Sequence, residues 1–363
     1  MPVDNTTDGE ILTEDRWIDH VSTAPAIRGQ PVKLFIRERQ HADRRGAGAG
    51  KVVLMVHGGY WPSSLAFDFP LEGYSWMAAL ARGGWDVFAM DMTGYGRSSQ
   101  PLMDDPYGLD PKQQTLLVPH VISAPGPATY PFKLATSDSE SDDIDRVVDF
   151  IRQLRGVDQI CLLGWSGGGC RIGSYTARHP EKVAKLVIYA SSNYIRDSSS
   201  EPPVQLPDPG FPMTLQTKAS MDQERWGPAI SHPGQVAPGI SDLAWQLCMA
   251  SDPLGAAWGG LRGPTRSYWG WNAATTAKIT QPTMIMIGAN DRLLKANRDL
   301  YADLGAAAKA MVEIAHASHF AQWEMQRHVL HRLSLSWLDK TSIGAKDLGR
   351  HSADEQGQVT TQG

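Results

Sequence analysis

Six short apolar runs, KVVLMVH (51–57), WDVFAMD (85–91), QICLLGW (159–165), KLVIYA (185–190), TMIMIG (283–288) and MVEIAH (311–316), are separated by stretches of helical periodicity. Runs of this length that are apolar at successive positions suit strands buried on both faces, as in a parallel sheet covered by helices on each side. The alternation predicts an α/β fold with a mostly parallel central sheet. An earlier segment, PVKLFIRER (31–39), reads as an antiparallel edge strand, and a Gly/Ala/Arg loop at 43–50 leads from it into the first buried run. Among the helices, Ser137-Asp138-Ser139-Glu140 has the order of a capping box, followed at helical spacing by Ile144, Val147, Val148, Ile151 and Leu154. Met325, Val329, Leu333 and Trp337 form a second stripe of the same kind.

Two regions interrupt the alternation. Residues 101–137 are Pro-rich, and residues 191–280 carry many Pro and Gly together with Trp226, Trp245, Trp258, Trp269 and Trp271. Structureless loops of that length are uncommon in a compact domain, so these segments are expected to form a lid or cap over a site. The expected organisation is a core at 13–190 containing the 101–137 insertion, a lid at 191–280 and a return to the core at 281–340. The polar ends, 1–12 and 341–363, lack periodic apolar residues and are expected to be mobile.

The net charge of −5 comes from well-mixed acids and bases, with no basic face for nucleic acid or anionic lipid. No run of 18 apolar residues occurs, and the N-terminus lacks a basic segment followed by an apolar one. A cytoplasmic protein handling a small-molecule substrate is therefore expected, without membrane or nucleic-acid partners; a homo-oligomer is compatible with the sequence. Cys161, Cys170 and Cys248 are too few for a disulfide framework and read as packing residues.

The run 159–165 leads into Gly164-Trp165-Ser166-Gly167-Gly168, followed by a helical segment. A GxSxG between strand and helix allows the sharp, strained turn that exposes a nucleophilic serine, because small neighbours let the turn close. Small-residue turns also follow many parallel strands for packing alone. A dinucleotide cradle is excluded by spacing, since Gly164, Gly167, Gly168 and Gly169 do not make GxGxxG, and no Gly-Lys-Ser/Thr follows as a P-loop requires.

The first buried run ends in His57-Gly58-Gly59-Tyr60-Trp61. Acyl transfer needs backbone N–H groups aimed at a developing oxyanion, for which Gly59 and Gly167 are the candidates, with Tyr60 a substitute for Gly59. His57 reads as a strand-end histidine satisfied by loop backbone. A serine nucleophile needs a base, and the base an orienting acid. Asp291 lies just beyond one strand end, and His316 and His319 lie beyond the next.

Together, HGGYW (57–61), DMTGYGRS (91–98), GWSGG (164–168), ARHPEKV (177–183), PTMIMIGANDRL (282–293) and AHASHFAQWE (315–324) resemble the α/β-hydrolase superfamily across about 31–340. The resemblance implies that Ser166 is the nucleophile, Asp291 the orienting acid and His319 the base, with no cofactor. His319 matches better than His316 because Phe320, which follows it, begins the apolar helix start that the family places there. Some members carry the acid after the preceding strand, where this chain has Ala190-Ser191-Ser192-Asn193 and no carboxylate. Members that displace halide or open epoxides use an aspartate nucleophile, against which Ser166 argues.

The pairs His316/His319 and His328/His331 have a spacing seen in metal sites, but such sites require a further ligand and supporting partners; His328 and His331 read as a solvated helix face, and no metal is expected. Tyr60, Trp61, Trp165, Trp269 and Trp271 are candidate substrate-binding residues, because large rings supply contact area to an apolar or aromatic ligand; the lid tryptophans equally suit a small core of their own. The expected activity is hydrolysis of a carboxylic ester of a small, largely apolar molecule. Lactone opening, carbon–carbon cleavage beside a ketone and acyl transfer use the same residues, and a non-catalytic ligand-binding protein of this fold is the alternative of a different class.

Overall fold

The computed structural model describes residues 11–44, 50–343 and 348–362. Ten strands form one sheet: β1 (Ile11–Val21), β2 (Pro31–His41), β3 (Val52–Val56), β4 (Asp86–Met90), β5 (Ile160–Trp165), β6 (Val183–Tyr189), β7 (Thr283–Gly288), β8 (Lys309–Ile314), β9 (Gly349–Ala353) and β10 (Val359–Thr361). Their spatial order is β1-β2-β4-β3-β5-β6-β7-β8-β9-β10. The pairs β1/β2, β2/β4 and β9/β10 are antiparallel, and all others are parallel. Every residue of β3, β5 and β7 is buried, as expected for strands covered on both faces.

The helices that matter for the site are α1 (Trp76–Arg82), α2 (Ser137–Arg155), α3 (Gly167–Arg178), α4 (Ile240–Ser251), α5 (Leu294–Asp303) and α6 (Arg327–Lys340). In α2, Ile144, Val147, Val148 and Ile151 are fully buried, while Leu154 lies on the exposed margin. Its capping box sits one residue earlier than the sequence suggests. Thr136 is the N-cap, its hydroxyl accepts from Ser139 N–H at 3.1 Å, and Ser139 Oγ accepts from Thr136 N–H at 3.0 Å. Glu140 is thereby released from capping and turns inward to two arginines.

Both chain ends depart from expectation. Residues 1–10, expected to be mobile, lie outside the described residues, but Ile11 and Leu12 already belong to β1. The expected mobile tail at 341–363 is corrected for most of its length: β9 pairs along β8, and β10 folds back on β9. An edge strand gains its hydrogen bonds from the neighbouring backbone and needs few apolar residues. Of GRHSA, His351 and Ala353 alone are buried, so the segment shows no apolar period in sequence.

The excursions 101–137 and 191–280 pack on each other. Strand Met213–Gln216 pairs with Leu261–Pro264, and Arg266–Ser267 pairs with Ala135–Thr136 of the first excursion. Met103, Leu109, Leu117 and Leu134 share an apolar cluster with Met213, Leu215 and Trp258, separate from the main core. Arg262 ties the two together, pairing with Asp252 (Nε to Oδ1 3.0 Å) and donating to Met103 O.

Candidate active site

Ser166 occupies the turn between β5 and α3 with φ +56° and ψ −119°. A side-chain-bearing residue in that region costs about 1–3 kcal/mol and persists where its surroundings over-determine it. Here Ser166 N–H donates to Tyr189 O (2.9 Å), and Ser166 O accepts from Gly169 N–H (3.0 Å) and Ser192 N–H (3.1 Å). Two glycines make room for the turn. A Cβ on Gly168 would lie 1.8 Å from Val56 O, and one on Gly164 would lie 2.5 Å from Gly168 O. The first turn of α3 therefore crosses directly over the end of β3.

Asp291 follows β7 and is buried. Its Oδ1 accepts from Leu293 N–H at 2.8 Å, and its Oδ2 accepts from His319 Nδ1 at 2.8 Å. His319 follows β8 and keeps 18 % of its side chain exposed, whereas the Asp291 side chain has none. The loop carrying His319 is held on three sides. Trp165 Nε1–H donates to His319 O at 2.8 Å, and Tyr189 Oη–H donates to Ser318 O. The third restraint is Glu324, whose buried carboxylate accepts from Ser318 N–H (2.9 Å), Ser318 Oγ–H, Trp226 Nε1–H (2.8 Å) and Gln235 Nε2–H (3.1 Å). Burial raises the Glu324 pKa against these donors.

The 57–61 loop approaches Ser166 from β3. A Cβ on Gly58 would lie 2.8 Å from Ser166 Cβ, while the same position on Gly59 faces open space. His57 does what a strand-end histidine satisfied by backbone should: Nδ1–H donates to Gly58 O at 2.6 Å, and Nε2 accepts from Met92 N–H at 3.1 Å. Burial and the nearby Arg266 charge hold its pKa down to about 3, so the ring is neutral. Asp91 pins the loop further on, accepting from both N–H and Oγ–H of Ser63 at 2.7 Å. Gly167 is the first residue of α3, a position whose N–H has no intrahelical acceptor.

Ser166, Asp291 and His319 line one cavity of about 550 Å³. Its other walls come from the turn after β7, from Ser192 and Asn193, and from Glu224, Arg225, Pro228 and Ala229 of the second excursion. The proposed aromatic lining is not what the structure places there. Trp61 is buried against Trp323, with ring centroids 4.7 Å apart, and Trp165 is buried beneath His319. Trp269 pairs its backbone with Ser137 Oγ, and Trp271 Nε1–H donates to Ser191 Oγ at 3.2 Å. Tyr60 bonds Thr214 Oγ1 at 2.8 Å and stacks beneath Arg225. Tyr60, Trp269 and Trp271 join the excursions to the core and Trp61 and Trp165 pack within it, because ring area stabilises most where it is removed from water.

Glu224, Arg225 and Arg292 instead face the cavity, and sequence reasoning did not identify them. Glu224 and Arg225 lie in a short π-helix, Met221–Trp226, and Arg292 lies in the turn after β7; both segments are too short to show a period in sequence, so no local signal marks them. His316 stands apart from His319: its Nδ1 meets Ser231 Oγ at 3.2 Å and its Nε2 meets Glu355 Oε1 at 2.8 Å. His328 is exposed and its Nδ1 bonds Met325 O at 2.7 Å, but His331, expected on the same solvated face, turns inward and packs on Trp76. Among the described residues, no group of three or more His, Cys, Asp or Glu could hold a metal ion, and no helix is long and apolar enough to cross a membrane. The three cysteines are buried free thiols; burial pushes Cys161 and Cys170 up to about 12.

Among solved structures, the fold is similar to a serine hydrolase involved in carbazole degradation (the CarC enzyme), at 17 % identity over 89 % of this chain and 99 % of that one, with a TM-score of 0.53. An esterase from Thermogutta terrifontis matches at 16 % identity, covering 90 % and 98 %, with a TM-score of 0.53. The 2-hydroxy-6-oxo-6-phenylhexa-2,4-dienoate hydrolase of Rhodococcus sp. strain RHA1 matches at 13 % identity, covering 90 % and 100 %, with a TM-score of 0.51. A curated relative, the poly(3-hydroxyalkanoate) polymerase subunit PhaC of Allochromatium vinosum, is 50 % identical over 44 residues, and this match spans 12 % of its length and 12 % of this chain. The sequence profile described as "alpha/beta hydrolase fold" matches residues 51–325, and the chain therefore belongs to the α/β-hydrolase family.

Proposed function

We propose that this protein is a serine hydrolase that cleaves a carboxylic ester of a small molecule through an acyl-enzyme. The observation that carries the reading is the His319 Nδ1–Asp291 Oδ2 contact of 2.8 Å in a cavity shared with Ser166 on its strained turn. In this reading Ser166 Oγ attacks the ester carbonyl while His319 Nε2 takes its proton. Asp291 holds the imidazole and balances the charge it gains. The tetrahedral oxyanion lies against the N–H groups of Gly59 and Gly167. His319 then gives the proton to the departing alcohol, and water, activated by the same base, releases the acid and restores Ser166.

The cavity volume of about 550 Å³ suits a small organic substrate. Arg225, Arg292 and Glu224 in the wall favour a substrate with polar or charged substituents over a wholly apolar one. The test is pre-steady-state kinetics with a panel of p-nitrophenyl esters, lactones and β-diketones. Wild type should show a burst with esters, and Ser166→Ala should lose at least about 10³-fold in kcat. Full activity in Ser166→Ala would overturn the mechanism, and preference for a lactone or diketone would move the substrate class within it.

A further inference from the structure

Two arginines and one glutamate lie buried behind the loop and turn that carry Gly59 and Gly167. Glu140 of α2 accepts from Arg171 Nη2 at 2.8 Å and from Arg266 Nη1 at 3.0 Å. The side chains of Arg171, Glu140 and Arg266 are 1 %, 6 % and 11 % exposed. Arg171 stands five positions after Ser166 on α3, and Arg266 belongs to the strand that joins the two excursions. Burying two guanidinium groups with one carboxylate is costly unless each donor is used, and a cluster of this kind adds little to stability relative to apolar packing. Its contacts suggest what it does instead.

Arg171 Nη1 donates to His57 O at 2.7 Å and reaches Gly58 O at 3.4 Å. Gly58 O also accepts from His57 Nδ1–H at 2.6 Å. In a trans peptide the N–H of Gly59 points opposite to the C=O of Gly58. Holding that carbonyl from one side therefore sets the direction of the Gly59 N–H on the other. On the second donor, Arg266 Nη2 and Nη1 lie 3.4 and 3.5 Å from where a Cβ on Gly167 would stand, and Arg171 Nη1 lies at 3.6 Å. Two cations against one carboxylate leave positive charge beside Gly167, in a setting where water screens it little.

We infer that the Arg171–Glu140–Arg266 cluster preorganises the oxyanion site: Arg171 is a positioning residue that orients the Gly58–Gly59 peptide, and Arg266 places a buried positive charge behind Gly167. The inference rests on the hydrolase reading. The titratable groups around the cluster are Asp143, which accepts from Thr93 N–H at 3.1 Å, the neutral His57, and Tyr95, Tyr268 and Cys170, whose protons burial retains. Burial pushes the carboxyls of Glu140 and Asp143 upward, and the Arg266 charge opposes that rise at Glu140. Preorganised positive charge of this kind acts on the transition state and not on the bound ester.

The experiment compares wild type, Ser166→Ala, Arg171→Met, Arg266→Gln and Arg266→Lys with p-nitrophenyl acetate, and measures inhibition by an alkyl trifluoromethyl ketone, which forms a charged tetrahedral adduct with a serine. Arg266→Gln and Arg171→Met should lose about 10–100-fold in kcat with KM within about threefold, and affinity for the trifluoromethyl ketone should fall by a similar factor. Arg266→Lys, which keeps the charge, should recover most of the loss. Unchanged kcat and ketone affinity in both variants would overturn the inference, as would a rise in KM alone, which marks a ground-state contact. Melting temperatures check the fold, and if Arg171→Met does not fold, the Arg266 pair decides. Equal activity of wild type and Ser166→Ala would remove the hydrolase reading and this inference with it, whereas Ser166-dependent turnover with unaffected arginine variants removes the inference alone.

Discussion

His57 offers a test in which the folded structure sets a number. Its ring is fully buried, with Nδ1–H donating to Gly58 O and Nε2 accepting from Met92 N–H. A proton added at Nε2 would face the Met92 N–H, donor against donor, in an apolar shell near the Arg266 charge. Burial first, then that charge, holds the pKa down to about 3 from the ordinary 6.5. Between those values the unfolded chain binds a proton that the folded chain refuses. The stability His57 contributes is therefore complete above pH 6.5 and is lost as pH falls toward 3. From pH 6.5 to about pH 5 the loss is about 2 kcal/mol, at roughly 1.4 kcal/mol per unit. Glutamine carries a donor and an acceptor but does not titrate, so His57→Gln removes this slope and leaves every other titrating group in place. Urea unfolding followed by far-UV circular dichroism near pH 7.5 should find the variant less stable by about 2 kcal/mol, from imperfect packing. Near pH 5 the gap should close by about 2 kcal/mol. An identical gap at both pH values would refute the assignment of His57 as a neutral, backbone-bound ring.

Gly168→Ala places a Cβ 1.8 Å from Val56 O, backbone against backbone, and should cost about 3 kcal/mol or more or prevent folding, whereas Gly59→Ala, which meets open space, should melt as wild type does. A Gly168→Ala protein with the wild-type melting temperature would contradict the close crossing of α3 over β3. Glu324→Gln puts an amide N–H among donors from Ser318, Trp226 and Gln235, and should cost about 2–3 kcal/mol by chemical denaturation. It should also lower activity by loosening the loop that carries His319, and unchanged stability together with unchanged turnover would show that the Glu324 contacts are not holding that loop.

Much of the central sheet was legible because β3 to β8 are buried on both faces and wear that burial as continuous apolar runs. The candidate residues Ser166, Asp291 and His319 were legible for a related reason: each follows such a run, and parallel strands bring their carboxyl ends to one edge. The segment 31–39 was legible as an antiparallel strand but is not the edge, since β1 pairs along its far side, and β1, β9 and β10 were not legible. In β1, Asp15 pairs with Arg37 and Arg16 with Glu38, so charges that serve cross-strand pairing obscure the apolar alternation. β9 and β10 are secured by backbone bonds to β8 and to each other, which any residue but proline can supply. The helix cap was misplaced by one residue because Thr136, Ser137 and Ser139 all suit an N-cap, and the inward turn of Glu140 toward Arg171 and Arg266 depends on partners far away in the chain.

The sequence alone determined the order along the chain of the strands buried on both faces, the small residues that let α3 cross β3, and the set of side chains from which a nucleophile, a base and an acid could be drawn. These are local properties, carried by periodicity, residue size and position after a strand. What surrounds Ser166 was decided by the tertiary structure. The excursions at 101–137 and 191–280 share a second apolar cluster with Ala24, Ile27 and Val32, while Trp226, Trp245 and Trp271 join the main core, and how these segments seat determines which residues meet the cavity. The tryptophans went into the seal, where burial stabilises them most, and Glu224, Arg225 and Arg292 were left facing the space above the serine. No period in sequence encodes that outcome, because it depends on contacts between segments that meet only once the whole chain has packed.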